Sequence, residues 1–137
     1  MKELKEQIIE YAQKLNSTNL SPLRSGNVSI KVTHDNVEGF LITPSGKRYE
    51  TLVPEDIVFL ALKKEYDNLK MFNSSLNPSS EWRFHQDIYL KKKEAKAIVH
   101  AHSPHATAVS AHGKSIPAFH YMIALAGGDD IKCAKYA

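Results

Sequence analysis

The sequence predicts a sheet covered by helices, an α/β or α+β fold in one domain spanning residues 1–137. Three observations carry that prediction. The chain opens on an amphipathic helical repeat, two apolar runs then flank a polar turn, and strand and helix patterns alternate from there on. A chain of 137 residues can bury a sizeable core, and no repeat, low-complexity tract or linker divides it.

Leu4, Ile8, Tyr11, Ala12 and Leu15 recur at helical spacing, which predicts a first helix ending near Asn16-Ser17. Turn formers fill residues 20–27. Residues 28–32 alternate as a strand, His34-Asp35-Asn36 makes a turn, and residues 39–43 return, so this stretch is a predicted hairpin. Pro44-Ser45-Gly46 breaks the pattern, and residues 56–62 form a continuous apolar run expected to be a buried strand. Residues 63–77 are polar and are assigned to a short strand or loop. A helix is expected from Ser80 to about Lys92, with Trp82, His85, Ile88 and Tyr89 on one face. A strand around His100 and His102 follows, then a helix over Pro104–Ala111 and a turn at Gly113-Lys114-Ser115. An apolar segment covers residues 116–126, and Gly127-Gly128-Asp129-Asp130 turns the chain again.

Composition excludes several function classes. The formal charge is only +3, and the lysines are scattered rather than gathered into a stripe. The cluster Lys91-Lys92-Lys93 follows a predicted helix, where the helix dipole favours cations, so nucleic acid is not an expected partner. The single cysteine, Cys133, excludes an internal disulfide and suits a reducing compartment. The N-terminus has no apolar signal core, and no stretch has the length of a membrane span. No membrane partner is expected, and the expected location is the cytoplasm.

The chemistry gathers in four short motifs. In Ile98-Val99-His100-Ala101-His102, strand alternation puts both imidazoles on one face and Ala97, Val99 and Ala101 on the other. The second face is expected to be core and the first a site, since two imidazoles on a rigid strand preorganise a zinc centre. In Pro78-Ser79-Ser80-Glu81 a serine is expected to cap the next helix, with Glu81 in its first turn. A helix start also offers amides to an anion, so Ser79 and Ser80 could bind phosphate while Glu81 serves as base or ligand. Gly26-Asn27 and Thr43-Pro44-Ser45-Gly46 present backbone amides beside small polar side chains, another way to cradle phosphate. His105, His112 and His120 lie in no ligand pattern.

Taken in order, these motifs resemble the signature of the class II aldolase/adducin family. Pro54-Glu55-Asp56-Ile57-Val58 and Ile116-Pro117-Ala118-Phe119-His120-Tyr121 extend the likeness, which covers nearly the whole chain. The resemblance implies a three-layer αβα sandwich around a mostly antiparallel sheet, and a homotetramer with sites between subunits. It implies Zn2+ held by His100 and His102, with Glu81 a ligand before substrate binds and an acid/base afterwards. Asn27, Ser45, Gly46, Ser79 and Ser80 would hold the phosphate of a small phosphorylated sugar. Tyr121 would reach a neighbouring subunit's site and assist proton transfer.

The implied reaction is reversible cleavage of L-fuculose 1-phosphate, or a similar ketose 1-phosphate, to dihydroxyacetone phosphate and L-lactaldehyde. The family draws a third zinc histidine from a segment downstream of Ala137, so the chain is expected to be C-terminally short relative to the family. Two alternatives follow from the same resemblance. One is a sister enzyme: a ribulose-phosphate 4-epimerase, a sugar-acid phosphate decarboxylase or a dehydratase. The other is a catalytically silent, adducin-like interaction domain.

Overall fold

A computed structural model describes residues 1–22, 25–62 and 75–135. They fall in two compact units, Met1–Ala101 and His102–Ala137.

In the first unit, helix α1 (Lys2–Ser17) precedes strands β1 (Asn27–His34), β2 (Val37–Ile42) and β3 (Val58–Ala61), then helix α2 (Trp82–Lys91) and strand β4 (Ala97–His100). The sheet order is β3-β2-β1-β4, and every pairing is antiparallel. Asp35 and Asn36 both have positive φ, 48° and 61°, which is what a two-residue hairpin turn needs to match strand twist. The predicted hairpin therefore forms, and its register pairs His34 with Val37.

Strand alternation sorts the core into two clusters. Ile8, Ala12 and Leu15 of α1 pack on Val28, Leu41 and Phe59, joined by Tyr49, Leu52 and Ile57. Phe40, Ile42, Val58 and Leu60 point the other way and pack with Leu62 and with Tyr89 of α2. Successive strand residues enter opposite clusters, so the sheet lies between two helical layers. This is the expected mixed α/β, helix–sheet–helix arrangement.

Several details differ from the sequence expectation. Tyr11 is 51% exposed, because the buried stripe of α1 runs through Ile8, Ala12 and Leu15. The expected strand over residues 56–62 is shorter. Pro54–Asp56 forms a 3-10 turn, closed by the Asp56 carboxylate accepting the Val53 N–H at 2.8 Å. Helix α2 begins at Trp82, so Glu81 occupies the capping position rather than the first turn.

The largest departure is at β4. It ends at His100, and the Ala97, Val99, Ala101 face is exposed rather than core, with Val99 at 55%. The cluster under α1 takes no residue from β4, whereas Ile98 on the opposite face packs against the α2 cluster. Most of the assigned loop over residues 63–77, and Leu23 and Arg24 in the earlier loop, lie outside the described residues.

The second unit carries helix α3 (Pro104–Ala111), with the predicted bounds and proline at its first position. Ile116 and Ile131 exchange two backbone hydrogen bonds of 2.9 Å. The apolar segment becomes a 3-10 helix over Tyr121–Ala126, with Phe119, Tyr121 and Leu125 at least 75% exposed and Ile123 buried. Among the described residues no helix is long and apolar enough to cross a membrane.

Candidate metal and phosphate site

Backbone hydrogen bonds draw three of the four motifs to one end of the sheet. The Ser45 N–H donates to Asn77 O at 2.9 Å and the Ser79 N–H to Thr43 O at 3.0 Å, with Pro44 and Pro78 bridged between them. Thr43 ties this clamp to β1. Its N–H donates to Val28 O at 3.1 Å, and its hydroxyl accepts the Val28 N–H at 3.3 Å. Asn27, Ser45, Gly46, Ser79 and Ser80 thus come from three segments held by shared bonds. Ser45, Gly46 and Ser80 are exposed, while Asn27 and Ser79 are buried.

Two glycines are required here for different reasons. Gly46 has φ +76°, a left-handed conformation that side-chain-bearing residues rarely adopt. At Gly26 the constraint is space, since a Cβ would sit 2.5 Å from the His100 carbonyl oxygen. The Tyr49 hydroxyl donates to Gly26 O. Close approach at Gly26 sets β1 beside β4, and Asn27 then pairs directly with His100.

That register places the fourth motif. His100 Nε2 lies 3.3 Å from Glu81 Oε2, and the Phe84 ring meets the imidazole edge-on at 5.1 Å. One donor atom each from Glu81, His100 and His102 lie within 4.8 Å of one another, all three residues being half-buried. Two imidazoles and one carboxylate are the donor set of a catalytic metal with an open coordination position. The residues present therefore fit a divalent transition-metal ion.

Glu81 is held from behind. Asn27 Nδ2 donates to Glu81 Oε2 at 2.6 Å, and Asn27 Oδ1 meets His85 Nε2. His85 Nδ1 lies 2.7 Å from Ser29 Oγ, which lies 2.8 Å from the Tyr89 hydroxyl. Burial, together with neighbouring His100, pulls the His85 pKa down to about 4. Burial pushes Tyr89 up to about 12, against the opposing effect of its hydrogen bond with Ser29. Both groups are neutral at physiological pH.

Sequence reasoning assigned no individual site role to His85, Ser29 or Tyr89, and it placed Thr43 only within the Thr43–Gly46 motif. A signal was available for three of them. Asn27 and Ser29 share a strand face at period two, and Glu81, His85 and Tyr89 follow at helical spacing of four. Beside the Ser45-Gly46 loop, Lys47 donates to Asp56 at 2.6 Å. Burial alone would raise the Asp56 carboxyl, but Lys47 and the Val53 N–H together hold it below its usual range. Tyr121 lies in the second unit, 79% exposed, with the His120 ring 4.4 Å from its own. His120 Nδ1 accepts the Met122 N–H at 3.2 Å, a turn-capping role.

Residues 6–137 match the family described as Class II Aldolase and Adducin N-terminal domain. An L-fuculose phosphate aldolase of Escherichia coli K12 is 43% identical over 135 residues, 98% of this chain and 58% of the relative. A 5-methylthioribulose-1-phosphate/5-deoxyribulose-1-phosphate aldolase of Rhodospirillum rubrum is 40% identical, over 98% of this chain and 56% of the relative. Among solved structures, an L-fuculose 1-phosphate aldolase superposes with TM-score 0.87 at 34% identity, covering 100% of this chain and 61% of that one. The chain thus spans less than two thirds of the length of these relatives.

Proposed function

The chain belongs to the class II aldolase and adducin family, and we propose that the protein is a zinc-dependent aldolase cleaving a ketose 1-phosphate between C3 and C4. The observation that carries this reading is the convergence of Glu81, His100 and His102 within 4.8 Å, beside the Ser45 and Ser79 loops. L-fuculose 1-phosphate is the proposed substrate, with dihydroxyacetone phosphate and L-lactaldehyde as products. The 43% identical relative named for that sugar supports the choice, and the 40% identical relative makes 5-deoxyribulose 1-phosphate its rival.

In the proposed mechanism His100 and His102 would hold Zn2+, with Glu81 a third ligand until substrate binds and an acid/base afterwards. When bound, the ion supplies Lewis-acid stabilisation of the negative charge left on the dihydroxyacetone phosphate half. Asn27, Ser45, Gly46, Ser79 and Ser80 bind the phosphate, giving binding energy remote from the broken bond. Glu81 moves the proton at the reacting carbon, and Tyr121, from a neighbouring copy of the chain, assists. The exposed Tyr121 ring is compatible with that service in a homotetramer. Residues 1–137 are one aldolase-type domain of a cytoplasmic enzyme in this proposal.

Dihydroxyacetone phosphate release is measured from both ketose 1-phosphates, before and after chelation and zinc restoration. Chelation should abolish release and zinc restore it, with L-fuculose 1-phosphate preferred. Glu81→Gln should lower kcat/KM by about 10²–10⁴-fold, the usual contribution of a positioned acid or base. Epimerisation without fragmentation, or release that survives chelation, would overturn the aldolase reading.

A further inference from the structure

The Glu81 carboxylate of the proposed site leans on a chain of four side chains, and chemistry fixes the direction of every bond in it. An ionised Glu81 only accepts, so Asn27 must turn its NH2 toward Oε2, as the 2.6 Å contact has it. The Asn27 oxygen then faces His85 Nε2 and accepts. His85 Nε2 must therefore carry the proton, which leaves Nδ1 of the neutral ring bare. Nδ1 accepts from Ser29, and Ser29 in turn accepts from Tyr89. Every step is satisfied: among the described residues the sole buried side-chain polar atom without a partner is Asn16 Oδ1, elsewhere.

The chain runs one way, from the Tyr89 hydroxyl through Ser29, His85 and Asn27 to Glu81. We propose that His85 is a positioning residue: its Nε2–H locks the Asn27 amide so that the amide nitrogen, never the oxygen, faces Glu81. The asparagine could otherwise rotate by half a turn and set its oxygen against the carboxylate. His85 is fully buried and lies four residues past Glu81, so the helix that presents the carboxylate also carries its distant support. The second hydrogen of the same amide nitrogen is fixed by this lock too. This inference rests on the metal-site reading, and its direct test does not need that reading to hold.

Nitrogen–proton correlation spectra of the metal-free protein report the His85 tautomer. A proton on Nε2 with bare Nδ1 is expected, and a proton on Nδ1 would overturn the lock. Zinc titration then reads its consequence. His85→Leu should weaken zinc binding about tenfold, the low end of what outer-shell partners of metal ligands contribute. His85→Gln restores an N–H near the Nε2 position and should recover most of that loss. Equal affinity in parent and Leu variant, or a Gln variant no better than Leu, would overturn the proposal. Where His85→Leu does not fold, Ser29→Ala substitutes for it: mixed His85 tautomers and weaker zinc binding are expected, and unchanged values of both count against the lock. A parent protein that binds no zinc would sink the functional reading, while the tautomer still decides the inference.

Discussion

The two faces of the sheet are built from the same strands yet do different work. The face under α1 takes Val28, Leu41 and Phe59 and is apolar from β1 through β3. The face under α2 is apolar only over β2 and β3, through Phe40, Ile42, Val58 and Leu60. Over β1 it turns polar, with Asn27 and Ser29 buried beneath His85 and Tyr89. A buried polar stripe is costly unless every member has a partner. Here each has one, and the last partner is the carboxylate of the candidate site. One face therefore holds the sheet together by packing, and the other converts part of its packing into orientation.

Three measurements separate the faces. Leu41→Ala on the α1 face should cost about 2–5 kcal/mol, as removal of a fully buried leucine side chain does. Chemical denaturation checks this, and the zinc affinity of the folded fraction should stay at the parental value. A loss in zinc affinity would mean that the two faces are not separable.

The α2 face should answer to pH instead. His85 has a pKa near 4 in the folded protein and about 6.5 when unfolded, so between these values the unfolded chain binds the extra proton. Its contribution is complete above about pH 6.5 and is lost as pH falls toward 4, by up to about 3 kcal/mol in total. Denaturation at successive pH values reads this slope. His85→Gln should remove it, and a slope unchanged in that variant would assign it to other groups.

The smallest effect belongs to Val99, at the exposed side of β4. Val99→Thr should change stability by less than about 0.5 kcal/mol in this chain. A loss of several times that would return the Val99 face to the core.

Much of this was legible in the residues themselves. Period-two and period-four apolar spacing gave the helices and the hairpin, because burial on one face imposes that spacing whatever the neighbours are. Gly26-Asn27, Ser45-Gly46, Ser79-Ser80-Glu81 and His100-Ala101-His102 stood out because few other residue types do their chemistry. Val99 misled for the same reason that the hairpin succeeded. Alternation says which residues share a face, and it is silent on which face a helix covers.

The sequence by itself determined the element types, the family and the identity of the candidate ligands, since spacing and residue chemistry are local properties. Only tertiary structure decided that Asn27 lies opposite His100, that Thr43 holds Ser79, and that Asn27 bridges His85 to Glu81. Those are meetings of residues 36 to 73 positions apart. They depend on strand register and on the space that Gly26 leaves for His100, which no local pattern encodes.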